Sequence, residues 1–96
     1  MTTEEFIKYL EKQLNKNAVL ELEGIIETKI KLEEIEIKNI EKSLILQSKK
    51  IKEQKVVLNL HQLMKITMLE ENTILLKFDQ LQTVKIKLFS TKRKQL

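Results

Sequence analysis

The side chains that could do chemistry in this chain are few and scattered. His61 is the only histidine, Asp79 the only aspartate, and cysteine is absent. A zinc or iron site needs several such ligands brought together, so neither a metal nor another cofactor is expected. Ser43, Ser48 and Ser90 carry no motif around them, and Asp79 has no special spacing to His61, which argues against a nucleophilic triad. Gly24 stands alone, so no glycine-rich phosphate loop or dinucleotide fingerprint can be drawn. The acidic pairs Glu33-Glu34 and Glu70-Glu71 are adjacent in sequence, and neighbours in a strand point to opposite faces; they fit solvated turns better than acid/base work. The chain is expected not to be an enzyme.

The remaining chemistry is charge. Positions 1–36 hold five lysines and nine glutamates, a balance of −4. Positions 37–96 hold thirteen Lys or Arg against five Asp or Glu, a balance of +8. Lys49, Lys50, Lys52 and Lys55 form one basic cluster and Lys92, Arg93 and Lys94 another. Either could contact phosphates. A solvated strand face of alternating charge explains much of the same pattern. With one arginine among eighteen basic residues, forked readout of duplex base edges is the least expected mode. Four aromatic residues (Phe6, Tyr9, Phe78 and Phe89) give little support to a flat stacking platform.

The elements that must position these groups are written in a period of two. Leu20 and Leu22, Ile30 and Leu32, Leu44 and Leu46, Ile74, Leu76 and Phe78, and Val84, Ile86 and Leu88 alternate with mostly Lys or Glu. That beat puts one face of a strand on a core and the other in water. Before it, Thr2 to about Lys16 reads as a helix: Thr2 and Glu5 have capping-box spacing, and Phe6, Ile7, Leu10 and Leu14 share a face. Strands are expected over Ala18–Gly24, Thr28–Asn39 with a bulge near Glu33-Glu34, Ser43–Ser48, Val56–Leu69 and Thr73–Phe89 with an irregularity at Asp79–Gln82. A lysine-rich loop spans 48–54 and a hairpin turn 70–72. Ile45, Val57, Leu63, Leu69, Leu75 and Leu81 put apolar groups on the second faces, which implies a second layer, either the helix or another subunit.

A helical alternative competes. Ile30, Ile37, Leu44, Ile51 and Leu58 recur by sevens, but the matching Glu33, Gln47 and Gln54 are polar and leave the seam half built. Isoleucine, valine and threonine favour strands. One glycine and no proline is unusual where tight turns want φ > 0, a need that Asn17, Asn39, Asn59 and Asn72 could partly fill.

The stretch Glu36-Ile-Lys-Asn-Ile-Glu-Lys-Ser-Leu-Ile-Leu-Gln-Ser, with Ile40, Glu41 and Leu44-Ile45-Leu46, resembles the second-to-third-strand segment of the Sm-like family, especially its bacterial Hfq-type members. Val56-Val-Leu-Asn-Leu-His-Gln-Leu-Met-Lys-Ile resembles that family's fourth strand. The resemblance covers about half the chain. It implies a helix followed by about five strands in a small barrel, assembly into a ring, and a place for His61 near a bound uridine. Leu60 stands where the family has a lysine before that histidine, Asn59 where it has an aromatic residue, and Glu34 or Ile35 where it has a strand glycine.

The reading is therefore an α+β domain over residues 1–89, with a helix at 2–16 and strands at 18–89. An N-terminal helix packs on a strongly bent antiparallel sheet or small β-barrel of about five strands. Residues 90–96 are expected to form a basic flexible tail. Two functions stand side by side. The first is a non-enzymatic module binding RNA or single-stranded nucleic acid as an oligomer through Lys49, Lys50, Lys52, Lys55, His61, Lys92, Arg93 and Lys94. The second is a protein-interaction or self-assembling module with no nucleic-acid role. Apolar runs of three or four residues are too short for a membrane-spanning helix or a secretory signal core, so no membrane partner and a cytoplasmic location are expected. A core this small leaves stability to gain from a partner or from copies of the chain.

Overall fold

The computed structural model describes residues 1–79 and 81–90. Helix α1 (Thr3–Glu11) is followed by β1 (Asn17–Glu23), β2 (Thr28–Leu32), β3 (Ile35–Ile40), β4 (Ser43–Ser48), β5 (Lys55–Asn59), a 3-10 turn (Leu60–Gln62), β6 (Leu63–Glu70), β7 (Thr73–Phe78) and β8 (Thr83–Phe89). The architecture is α+β, as the alternation implies. Among the described residues, the expected single bent sheet or barrel of about five strands is replaced by eight strands in two antiparallel sheets, ordered β2-β1-β8-β7-β6 and β3-β4-β5. They do not close into a barrel.

The capping box forms. The Thr2 hydroxyl accepts the Glu5 N–H at 3.1 Å, and the Glu5 carboxylate accepts the Thr2 N–H at 2.8 Å. That backbone bond holds the Glu5 carboxyl below its ordinary range. The helix stops short of Lys16. Asn15 takes φ 72°, and its N–H donates to the Ile35 carbonyl, so the chain is already tied to β3. Leu14, expected on the buried helix face, is exposed for that reason, while Phe6 and Leu10 are buried. Tyr9 is half-buried and donates its hydroxyl to the Glu71 carbonyl at 2.7 Å; burial, and secondarily the Glu71 charge, raises its pKa.

Three long stretches read as continuous strands are broken. The shift in beat between Leu32 and Ile35 is a passage from one sheet to the other: both side chains are buried, Glu34 takes φ 50°, and the Ile35 N–H donates to the Lys16 carbonyl. The expected strand 56–69 is split because the Asn59 side chain accepts the His61 N–H and starts the 3-10 turn. The expected strand 73–89 is also two: β7 ends at Phe78, β8 begins at Thr83, and they pair antiparallel, so the place of the expected irregularity is a reversal of the chain. The Asp79 N–H donates to the Gln62 carbonyl at 3.0 Å, which sets this reversal against the 3-10 turn.

Inner residues of both sheets and the helix share one core, including Phe6, Leu20, Leu46, Leu58, Leu76 and Ile86. At about 25 cal/mol per Å² of apolar surface removed from water, their burial drives folding. The left-handed turns use Asn15, Glu34, Glu41 and Leu81 besides Gly24. They do not use Asn17, Asn39, Asn59 or Asn72. Asn17 accepts the Glu34 N–H, and Asn72 donates to the Leu88 carbonyl, so these side chains serve as hydrogen-bonding braces.

Candidate functional site

The expected basic residues that the structure describes fall at two places along β5. Lys49, Lys50 and Lys52 lie in the turn between β4 and β5, and Lys55 opens β5; His61 follows the far end of that strand. Five extended residues separate them by about 17 Å. Three of the four lysines are engaged. Lys49 donates to the Asn15 side chain at 3.2 Å, Lys50 pairs with Glu34 at 3.6 Å, and Lys52 pairs with Glu36. The Lys52 ammonium, and then the Gln47 amide, holds the Glu36 carboxyl below its ordinary range. His61 is exposed in the 3-10 turn, held through its backbone by Asn59. Lys92, Arg93 and Lys94 lie outside the described residues.

A different site is built at the opposite edge of the small sheet. Antiparallel pairing directs both backbone groups of a residue to the same side. The Ser48 N–H donates to the Gln54 carbonyl and the Leu60 N–H to the Lys42 carbonyl. In the β4–β5 register this assigns the ladder bonds to Val56 and Leu58. Lys55 and Val57 therefore direct their N–H and C=O groups away from β4, where no other strand follows among the described residues.

Beside this edge runs a cleft of about 330 Å³. Val56 and Leu58 form one wall, Leu22, Phe78 and Val84 the floor, and Ile25 and Ile26 the rim. Ile25 is 66% exposed, Ile26 57% and Val57 55%. The rim is held from below. The Gln82 side-chain amide accepts the Ile26 N–H at 2.8 Å and donates to the Glu23 and Ile26 carbonyls, each at 3.0 Å. Gly24, at φ 125°, lets the two loops touch, since a Cβ there would lie 2.1 Å from the Leu81 carbonyl oxygen. Leu81 is 82% exposed at φ 64°, a left-handed conformation that costs a leucine about 1–2 kcal/mol.

Of the second-face residues singled out in the sequence, Val57, Leu69 and Leu81 are exposed, while Ile45, Leu63 and Leu75 are half-buried. The alternation breaks thus flagged one member of the site, Val57. Ile25-Ile26 and the Gln82 brace were missed. The available signal was an Ile-Ile pair following the chain's one glycine.

Among the described residues no three His, Cys, Asp or Glu side chains gather as metal ligands, and no helix is long and apolar enough to cross a membrane. Compared with protein-family models, with curated proteins and with solved structures, the chain matches none of them. The Sm-like resemblance rests on the quoted residues alone.

Proposed function

We propose that this chain is a non-enzymatic protein-interaction module that takes an extended segment of a partner protein as an added strand on β5. The observation that carries this reading is the unpaired edge at Lys55 and Val57, set beside an apolar cleft with a braced rim. Strand addition draws affinity from main-chain hydrogen bonds and specificity from pockets that accept alternate side chains. Here the β5 backbone supplies the first and the cleft the second. Ile25 and Ile26 would cover an inward-pointing apolar side chain of the added strand, removing their own surface from water.

Selection from a displayed library of extended peptides tests the proposal. Binders should carry apolar residues at alternate positions and protect the Val57 amide from hydrogen exchange. They should be lost with Val57→Pro, which removes an outward N–H and leaves the β4 ladder intact. Failure to select any peptide, or selection of peptides indifferent to both Val57→Pro and Ile25→Ser/Ile26→Ser, would contradict it. A second copy of the chain seated on β5 would appear in light scattering as a dimer abolished by Val57→Pro, and would replace the peptide reading with self-assembly.

A further inference from the structure

The outward face of the five-stranded sheet carries chemistry that the cleft does not use. Lys29 and Lys31 of β2, Lys85 and Lys87 of β8, Lys77 of β7 and Lys65 of β6 alternate with buried residues and stand on one surface. The register sets them in rows. Lys65 is directly opposite Lys77, and Lys77 is paired in turn with Thr83. The next row runs Lys29, Glu21, Lys85, Leu75 and Thr67; the one after holds Lys31, Val19, Lys87 and Thr73. Glu21 and Glu23 are the acids that β1 places on this face, and Glu70 lies at its β6 border.

Glu21 is shared between Lys29 at 3.7 Å and Lys87 at 3.5 Å. Lys31, Lys65, Lys77 and Lys85 form no ion pair among the described residues. The Lys65–Lys77 pair is the most telling. Like charges directly opposite on antiparallel strands destabilise the sheet, and among the described residues neither lysine has an acidic partner within ion-pair distance. A polyanion laid along the rows would.

A second observation narrows the ligand. Phe89 follows Lys85 and Lys87 on the same face of β8 and is 44% exposed. The three share a shallow depression with Asn72, Thr73 and Glu70. Successive members are about 7 Å apart along the strand, comparable to the repeat of an extended nucleic-acid backbone. Lysine supplies point charges for phosphate, and an exposed ring offers a stacking surface to an unpaired base. We propose that this face binds single-stranded nucleic acid, with phosphates on Lys85, Lys87 and the Lys65–Lys77 row and a base stacked on Phe89. The site lies on a different surface from the β5 cleft and stands without it.

Fluorescence anisotropy of the full chain with a labelled twelve-nucleotide single strand tests the assignment. Neutralising about three phosphates predicts a slope near −2 for log affinity against log salt. Lys85→Glu/Lys87→Glu should weaken binding at least about tenfold, and Phe89→Ala about tenfold, within the range of lost base stacking. Lys49→Glu/Lys50→Glu, in the turn, should change affinity by less than about twofold. Thermal melts of each variant separate loss of binding from loss of fold. Absence of binding at 50 mM salt would overturn the proposal. So would equal affinity for poly-glutamate or anionic vesicles with no effect of Phe89→Ala, because the face would then be a general cation surface.

Discussion

Strands β5 and β6 both end a sheet, and the molecule treats them differently. β6 slips register twice against β7, between Leu63 and Lys65 and between Met68 and Glu70. Such bulges twist an edge away from further pairing. The other edges are guarded too: β2 is short and carries Lys29 and Lys31, and β3 is met at Ile35 by the Asn15–Lys16 segment. β5 runs five residues without a register slip, has a single charge at its start, and exposes Val57 at its centre. β6 and β2 are blunted, β3 is tied at its first residue, and β5 is left open beside the apolar cleft. An edge that evolution has not blunted is a place where a strand can be added.

The sharpest break of this comparison comes from moving proline by one residue. Val56→Pro removes a ladder bond to β4 and should cost roughly 3 kcal/mol or more, whereas Val57→Pro removes only an outward N–H and should cost about 1 kcal/mol or less. Chemical denaturation measures both. Equal losses would mean that the two residues do not face opposite ways.

Gly24→Ala comes next. The new Cβ would meet backbone at Leu81, so the loop must shift, and we expect a loss of about 3 kcal/mol together with disorder of the Ile25–Ile26 rim. Stability within about 0.5 kcal/mol of the parent would show that the two loops are not locked together. Ile25→Ser/Ile26→Ser should leave stability within about 0.5 kcal/mol, since both side chains are exposed, while abolishing peptide capture. A large loss of stability would place these residues in the core.

The smallest effect concerns the basic turn. Because the folded-state pKa of Glu36 is lowered, its contribution is complete above the unfolded carboxylate range and is lost as pH falls through the folded value. Glu36→Gln should therefore flatten the acid side of a Tm-against-pH curve and have little effect on its shape near neutrality. An unchanged acid limb would show that the Lys52 contact does not persist in solution.

How much of this was legible follows from what alternation encodes. The inner residues of β1, β4, β7 and β8 could be named, because a period of two directly reports which face is buried. The split between β5 and β6 could not. Val56, Leu58, Leu60, Met64, Ile66 and Met68 keep the same parity through the 3-10 turn, so the beat continues where the strand stops. Between Leu32 and Ile35 the beat does shift, but a bulge and a change of sheet produce the same shift. Sheet partnership is a long-range property, and with it the outward face of β5 and the assembly of lysines from four strands. The clustered lysines 49–52 drew notice because they are adjacent in sequence; the lysine rows of the large sheet are adjacent only after folding.

Residue-resolved amide hydrogen exchange of the free chain bears most directly on the open edge. The account predicts slow exchange at Val56 and Leu58 and fast exchange at Val57 between them. Equal protection at all three in a monomeric sample would mean that the β5 edge is already covered, and would contradict the account.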